Sequence, residues 1–347
     1  MRIATTVLQD DLRKVAAAAA AAERDGYTVL TTLENKHDPF LPLAIAAVNT
    51  QRIELCTSVA IAFPRSPMTV AQMGWDLNEA SRGRFVLGLG TQVKAHNERR
   101  FSVPWSAPAP RIREYVQALR AIWRCWRYGE KLQFQGEHYR FTLMTPHFVP
   151  ESQGLRVPPV TVAAVGPAML RVAGEVADGV RLHPFCTRRY FDEVVLPELG
   201  AGLARSGRDR STFEISGGGF IATGPDDAAV HARREWVRGR IGFYASTPAY
   251  HPVLERHGLL DLGLKLNRLT RENAWDRLAG EVSDDVLDLF VISARHDRIK
   301  AEIERHAAGR TDTIYASANS AQPGDMPPDL IQEIARLKTP FEGWRGD

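Results

Sequence analysis

The chain of 347 residues carries a formal net charge of +3, and 44% of its residues are apolar. This length suits either two domains or one large barrel with insertions, and the apolar share is ordinary for a protein with a large core. The net charge is too small to indicate a nucleic-acid or a membrane partner, so we expect neither.

Cysteine usage and the first residues bear on the cellular compartment. Cys56, Cys125 and Cys186 are widely spaced and form no Cys-x-x-Cys pair. A sparse, odd set of this kind indicates reduced thiols rather than a disulfide framework. The opening MRIATTVLQDD contains no apolar core long enough for a signal peptide, and the run Ala16–Ala22 is too short to span a bilayer. We therefore expect a cytoplasmic protein.

Strand and helix patterns alternate along the chain. Short, largely apolar runs predict strands over Ile3–Val7, Tyr27–Thr31, Ile53–Ile61, Phe85–Leu89, Pro158–Ala164, Gly179–Leu182, Phe213–Thr223 and Thr313–Ala316. Helices are predicted over Leu12–Arg24, Phe40–Asn49, Met68–Ala80, Arg111–Arg127, Pro167–Val176, Arg188–Arg205, Asp226–Arg240 and Asp329–Leu337, and from Ser283 towards His306. The first four strands arrive at a spacing of roughly 25 to 30 residues, which suits β-α units with parallel strands.

Three stretches depart from this alternation. Residues 93–110 form a long polar loop, and residues 128–157 include a two-strand excursion over Lys131–Leu143. Residues 241–279 are rich in aromatic side chains and histidines. Gly217–Gly219 lie within the seventh predicted strand and indicate a bulge or a close backbone approach there. Because no low-complexity linker divides the chain, we predict one domain with insertions.

Several motifs that would supply chemistry directly are missing from the sequence. Gly88-Leu89-Gly90 begins like a dinucleotide fingerprint, but Val93 stands at the position of the third glycine. No phosphate-loop lysine follows, and no Gly-x-Ser-x-Gly elbow occurs. The ten histidines show no metal-ligand spacing, so we predict no metal site. Demanding chemistry would then require a bound organic cofactor.

Five short motifs carry a resemblance to a known family. The specific one is Ser81–Gly90 (SRGRFVLGLG), and the weaker ones are Lys36–Phe40, Thr57–Val59, Ala164–Pro167 and Ala177–Gly179. Together they resemble the bacterial luciferase-like superfamily, in particular its deazaflavin-dependent branch. The resemblance implies an α/β fold, a single (β/α)8 TIM barrel over the whole chain, 1–347, with insertions after strands 4 and 7. It also implies a homodimer, with the functional residues at the carboxyl ends of the strands.

The resemblance suggests catalytic roles for three side chains at this end of the barrel. His37 follows the second strand, where the family often places a histidine near the flavin ring and an imidazole can relay a proton; the alternative is a solvated loop histidine. Gln92 stands where sugar-phosphate-oxidising relatives carry an acidic glutamate. A glutamine can hydrogen-bond a ring or a substrate but cannot act as the acid. His96 could take that role instead; the alternative is an exposed loop histidine. His183 ends the sixth strand, where a catalytic and a structural role are both open.

Cofactor contacts are implied for the loops after strands three, four and five. Relatives hold the peptide bond equivalent to Ser58–Val59 in the cis form and brace the ring with it, so we expect a cis bond here. The further contacts implied are Gly90, Thr91, Ala164, Val165, Gly166 and Met169. The last four align with the family's phosphate cradle at a helix N-terminus, where free N–H groups favour an anion; the alternative is an ordinary β-α turn.

Three functions follow from the resemblance. The leading one is a coenzyme F-420 (8-hydroxy-5-deazaflavin) oxidoreductase that moves a hydride between the deazaflavin ring and a small organic substrate. The second is a two-component monooxygenase that takes reduced FMN from a flavin reductase partner, and the third is a non-catalytic flavin-binding protein. Arg99 and Arg100 are candidates for contact with an anionic coenzyme tail, or form a solvated pair.

Overall fold

The computed structural model describes residues 1–7, 9–316 and 326–345. Its strands are β1 Arg2–Thr6, β2 Val29–Thr32, β3 Glu54–Thr57, β4 Ala60–Ile61, β5 Phe85–Gly90, β6 Phe134–Gln135, β7 Arg140–Phe141, β8 Val160–Ala164, β9 Gly179–Leu182, β10 Glu214–Ser216, β11 Phe220–Gly224, β12 Val291–Arg295 and β13 Thr313–Tyr315. Within these ranges, no helix combines the length and the apolar character that crossing a membrane requires.

The α-helices are α1 Val15–Asp25, α2 Leu41–Asn49, α3 Pro67–Ala80, α4 Lys94–Arg99, α5 Pro108–Tyr128, α6 Pro167–Val176, α7 Arg188–Tyr190, α8 Leu196–Ser206, α9 Asp227–Ala245, α10 His251–Glu255, α11 Leu260–Arg271, α12 Asp284–Phe290, α13 Ile299–Ala307 and α14 Pro328–Ala335. A π-helical turn over Phe191–Val195 joins α7 to α8. Proline opens α3 at its first position, and Ser66 caps that helix by accepting from the Met68 N–H, as expected of a β-α joint.

Parallel pairing closes the strands into a barrel. The order is β1, β2, β3, β5, β8, β9, β10 and β13, and β13 returns to β1. Ala4 of β1, for example, lies opposite Val29 of β2 on one side and Tyr315 of β13 on the other. The predicted (β/α)8 barrel is confirmed. Because all these strands are parallel, their carboxyl ends open at one end of the barrel, which we call the mouth.

The third barrel strand is interrupted where a single strand was predicted over Ile53–Ile61. It consists of β3 and β4, which both pair with β5 and are separated by Ser58 and Val59. The peptide bond between these two residues is cis, which confirms that prediction. The prediction of an unbroken strand is wrong, because the hydrogen-bond ladder stops at Ser58 and Val59. We call this interruption, residues 57–59, the bulge.

Two predictions in the C-terminal half are also wrong. The strand predicted over Phe213–Thr223 is divided: β10 remains in the barrel, whereas β11 pairs with β12 in a separate parallel sheet. Gly217, Gly218 and Gly219 separate them with φ values of +90°, +99° and +138°, which turn the chain out of the barrel. The helix predicted from Ser283 towards His306 is broken by β12, because this β-branched run finds a strand partner in β11.

The insertions are more regular than their sequences indicate. Residues 93–110 contain α4 and the first turn of α5, and residues 128–157 contain the antiparallel pair β6–β7. Residues 241–279 hold the end of α9 together with α10 and α11. The aromatic stripe of α5 belongs to the core, since Trp123 is fully buried and its Nε1 donates to the Ala71 carbonyl at 3.1 Å.

The barrel interior beneath the mouth is polar and charged. Arg181 is almost fully buried and donates to Glu214 at 3.0 Å, while Arg2 pairs with both Glu214 and Glu54. Two arginines thus face two glutamates, which offsets the cost of burying each charge. Trp344 donates from Nε1 to Glu54 at 2.7 Å, so the C-terminal segment lies against the end of the barrel opposite the mouth. The mouth is therefore the open end of the barrel.

Candidate active site at the barrel mouth

The sequence-predicted residues converge on the mouth. They lie in the loops after five barrel strands: His37 after β2, Ser58 and Val59 after β3, Thr91 and Gln92 after β5, Val165 and Gly166 after β8, and His183 after β9. Gly90 and Ala164 are the last residues of β5 and β8, and Met169 lies in the first turn of α6. Parallel strand direction brings all of these residues to one end of the barrel.

The backbone of residues 57–59 lies so close to β5 that β5 requires glycine at the two contact positions. Thr57 Oγ1 donates to the Gly88 carbonyl at 2.8 Å and accepts from the Gly88 N–H at 2.9 Å. A Cβ atom on Gly88 would lie 1.9 Å from the Thr57 carbonyl oxygen, and one on Gly90 would lie 2.5 Å from Cγ2 of Val59. The Gly-Leu-Gly element therefore accommodates the bulge rather than a dinucleotide phosphate.

A charged group missed at the sequence level ties the loop after β2 to the bulge. The Glu34 carboxylate is nearly buried, accepts from the Ile61 N–H at 2.6 Å and pairs with Arg65 at 2.7 Å. Arg65 also pairs with Asp38 at 3.2 Å. Local sequence offers no signal for this cluster, because Arg65 follows β4 and only the barrel brings it beside the loop that holds Glu34 and Asp38.

His37 stands at the edge of the mouth with an acidic partner. Its Nε2 lies 3.2 Å from Oδ1 of Asp10, and its side chain remains 44% exposed. Asp10, in the loop after β1, was missed, although its place shortly after the first strand is the available signal. The pair contributes little to stability at this exposure, but it orients the imidazole.

Gln92 adopts a left-handed backbone with a φ of +57°. Its side-chain Oε1 accepts from the Val93 N–H at 2.9 Å. Asn97 of α4 is fully buried and donates from Nδ2 to the carbonyls of Thr91, at 2.9 Å, and Val93. The amide oxygen of Gln92 is thus engaged by its own loop, and this loop is held in place by Asn97.

Of the two arginines singled out in the same insertion, Arg100 has a structural contact. Its Nη2 donates to the Asn35 carbonyl, and its guanidinium lies 4.9 Å from the ring centre of Phe101. The loops after β2 and β5 are linked in this way. His96, the alternative acid, is an exposed residue of α4.

The loop after β8 has the features of an anion site. The Val165 carbonyl accepts from Tyr190 Oη at 3.0 Å, which fixes the loop against α7. Gly166 is the N-cap of α6, where no side chain caps the helix. A Cβ atom added to Gly166 would meet nothing within 4 Å, so the space in front of the helix is open. Pro167 has no N–H and the Met169 N–H donates to the Gly166 carbonyl at 3.1 Å, so an anion here would rely on the Ala168 N–H and on the positive end of the helix dipole. A position of this kind beside open space suits the phosphate of a flavin-type cofactor.

His183 is held as a neutral ring. Its Nδ1 accepts from the Phe185 N–H at 2.9 Å, which leaves Nε2 as the protonated donor of a neutral imidazole. Burial lowers the pKa of His183 to about 3, and the charge of Arg240 acts in the same direction. The rings of Tyr244 and Tyr250 pack against it, with ring-centre distances of 4.2 and 4.8 Å. His183 can therefore donate a hydrogen bond from Nε2 at neutral pH, but it is not an imidazolium and cannot act as an acid there.

A cavity of about 510 Å³ lies beside the barrel rather than at the predicted cofactor contacts. Its lining includes Phe191 of the π-helical turn, Gly218 after β10, Phe290 of α12 and Arg310 before β13. Tyr315 also lines it, and this residue reaches the bulge by a 2.6 Å hydrogen bond between its Oη and Ser58 Oγ. None of the sequence-predicted site residues lines this cavity.

Three potential metal ligands, Glu114, Glu137 and His138, meet on α5 and the β6–β7 turn. The Glu114 carboxylate already accepts from the Glu137 and His138 backbone N–H groups, at 3.0 and 2.8 Å. This carboxylate anchors the hairpin turn.

Comparisons with known proteins agree over most of the chain. The family model described as luciferase-like monooxygenase matches residues 2–312. The chain is 49% identical to an uncharacterized protein of Mycobacterium tuberculosis over 88% of this chain and 90% of that protein. It is 31% identical to the 5,10-methylenetetrahydromethanopterin reductase of Archaeoglobus fulgidus over 84% of this chain and 85% of that enzyme.

Among solved structures, the fold matches that of the coenzyme F420 dependent tetrahydromethanopterin reductase from Methanopyrus kandleri. The TM-score is 0.75 at 18% identity, covering 96% of this chain and 97% of the other. The range matched by the family model, residues 2–312, includes every barrel strand up to β10 and the mouth loops described above. The chain belongs to the luciferase-like monooxygenase family, a family of enzymes.

Proposed function

We propose that the protein is an F-420-dependent oxidoreductase that transfers a hydride between C5 of the deazaflavin and a small organic substrate at the barrel mouth. Two comparisons support this choice of cofactor. A relative at 31% identity is a methylenetetrahydromethanopterin reductase, and a tetrahydromethanopterin reductase of the same fold is described as coenzyme F420 dependent.

The observation that carries the proposal is the backbone of Thr57–Val59 lying directly on Gly88 and Gly90. Glycines at both positions allow the Thr57–Val59 segment to pack directly against β5. The segment held there is the surface that we assign to one face of a planar, three-ring cofactor. Tyr315 fixes the bulge through Ser58.

The remaining mouth residues would bind the cofactor phosphate or hold a proton. The phosphate would lie at the first turn of α6, which includes Met169, and against Ala164, Val165 and Gly166. The deazaflavin, when bound, supplies or accepts the hydride. His37, oriented by Asp10, would hold the proton that accompanies the change in charge on the substrate. His183 would donate from Nε2 to an acceptor atom in the mouth, and Gln92 would offer its amide N–H groups.

A two-component monooxygenase using reduced FMN is the second candidate, and the family description favours it specifically. The same platform and phosphate loop suit FMN, and a flavin reductase would be the partner. Membership of a family of enzymes speaks against the third alternative, a non-catalytic flavin-binding protein. A homodimer stays a prediction of the sequence resemblance.

The deciding experiment is titration of the purified protein with F-420, FMN and NADPH, followed by absorbance and cofactor fluorescence. We expect saturable binding of F-420 and none of FMN. Binding of FMN alone would replace the proposal with the monooxygenase, and binding of neither would overturn both. The Gly166→Ala variant serves as the control for binding at the phosphate loop, because this position has room for a methyl group in the protein alone.

A further inference from the structure

Arg240 near the end of α9 lies on an aromatic platform. Its guanidinium carbon is 5.5 Å from the ring centre of Trp236, 5.8 Å from that of Phe243 and 5.2 Å from that of Tyr244. Its Nη2 also donates to Tyr244 Oη at 2.8 Å. Contacts on several ring faces hold the charged group in one place although the residue is exposed.

This arginine differs from its neighbours on the same helix. Arg234 pairs with Asp288 at 2.7 Å, and Arg238 pairs with Glu235 at 2.9 Å and with Asp284. In the part of the chain that the structure describes, no carboxylate lies within ion-pair distance of Arg240. An oriented guanidinium without an acidic partner keeps donors available for an anion, and its planar fork suits a carboxylate or a phosphate.

The platform reaches the mouth through Tyr244. The ring of Tyr244 is perpendicular to that of His183 at 4.2 Å, so one aromatic side chain separates the guanidinium from the end of β9. Tyr250 extends this surface, and the buried ring of Phe185 supports it from below at a ring-centre distance of 5.6 Å. The depressed pKa of His183, to which Arg240 contributes, agrees with this proximity. One wall of the mouth therefore combines an apolar aromatic surface with a fixed positive charge.

We propose that Arg240 and Tyr244 recognise an anionic group, such as a carboxylate or a phosphate, on a substrate whose apolar part packs against Tyr250. This inference rests on the proposed function for the identity of the reaction, but the anion site itself does not depend on F-420. In the strand order, β9 is separated from the bulge strand β3 by β5 and β8 on the shorter side. The charge is thus presented across the mouth from the surface assigned to the ring.

An anionic coenzyme tail could use the same chemistry as a substrate, so the test has an arm for each. Isothermal titration calorimetry would compare benzoate with its neutral isostere benzamide, on protein without cofactor and on protein saturated with F-420. We expect wild type to bind benzoate about tenfold more tightly than benzamide in both forms, the factor appropriate to a charge-assisted hydrogen bond. In Arg240→Gln this preference should disappear, while the affinity for F-420 stays unchanged.

Two further variants complete the design. Arg271→Gln removes a charge from the exposed surface of α11 in the same insertion and should keep the full preference. Tyr244→Phe removes the hydroxyl that positions the guanidinium and should lower the preference to a few-fold. Equal or absent binding of both probes by wild type would overturn the inference. A loss of F-420 affinity in Arg240→Gln would assign the charge to the coenzyme instead. Failure of F-420 to bind any form would reject only the proposed function, since the cofactor-free arm still reports on Arg240.

Discussion

The hydroxyl groups of Ser58 and Tyr315 lie 2.6 Å apart, although 257 positions separate the two residues in the chain. Ser58 opens the bulge in the third barrel strand, and Tyr315 is the last residue of β13. The hydrogen bond therefore ties the surface assigned to the cofactor ring to the strand that closes the barrel. Both side chains are only half-buried, so the contact lies close enough to solvent for its removal to affect a bound ligand.

Removing either hydroxyl should weaken cofactor binding more than it weakens the fold. We expect Tyr315→Phe and Ser58→Ala each to lower the free energy of unfolding by about 1 kcal/mol, the net value of one hydrogen bond. The dissociation constant for F-420 should rise several-fold in each, and the double variant should be little worse than either single one, because both remove the same bond. Tyr128→Phe on the exposed surface of α5 is the control. Fully additive effects on affinity would show that the two hydroxyls act independently.

His37→Ala should reduce turnover by roughly 10²- to 10⁴-fold, the range for a proton-transferring group, with F-420 affinity nearly unchanged. Asp10→Asn should cause a smaller loss, since it removes the negative charge beside the imidazole but keeps a side-chain oxygen that can accept from it. The exposed histidine of α9 provides the control His231→Ala. Steady-state kinetics and cofactor titration distinguish the two quantities, and full turnover in His37→Ala would return this residue to the role of a solvated loop histidine.

Two glycine substitutions should have opposite consequences. Gly88→Ala places a Cβ atom 1.9 Å from the Thr57 carbonyl oxygen. We therefore expect the free energy of unfolding to fall by about 1 to 3 kcal/mol, the typical cost of overpacking. Gly166→Ala has open space, and its stability should stay within about 0.5 kcal/mol of wild type. The same methyl group would stand in the proposed phosphate loop, however, and should weaken F-420 binding about tenfold. Thermal unfolding and cofactor titration of the two variants, side by side, check both statements.

The half-buried imidazole of His183 should make the protein less stable in mild acid. Burial lowers its pKa in the folded state to about 3, below the value of 6.5 for an exposed histidine. Between these values the unfolded chain binds a proton that the folded protein does not, so the free energy of unfolding falls as the pH drops from about 6.5 towards 3. His183→Asn, which keeps an acceptor for the Phe185 N–H, should show a shallower decline, whereas the surface variant His147→Asn should follow wild type. Denaturant unfolding at several pH values is the measurement, and identical slopes in His183→Asn and wild type would contradict it.

Local sequence was sufficient for most of the barrel strands, whereas the closed barrel and the position of its mouth were implied by the family resemblance. Apolar periodicity within single elements marked the barrel strands, and the Ser81–Gly90 motif located the strand against which the bulge lies. These features depend on residues a few positions apart, since side-chain period and glycine conformations are properties of short segments. The cis bond at Ser58–Val59 came from the family resemblance rather than from any local pattern, because such a bond leaves no mark in composition.

Other features were decided only by tertiary structure. The run Val291–Arg295 reads equally well as part of a helix, and it became β12 because β11 was turned out of the barrel to meet it. Three contacts join loops or strand ends from different β-α units: those between Asp10 and His37, between Arg65 and Glu34, and between Tyr315 and Ser58. Strand order and register determine which loops face one another, and no window of the sequence contains that information. Sequence alone therefore determined where the candidate site lies, whereas closure of the barrel decided which side chains meet there.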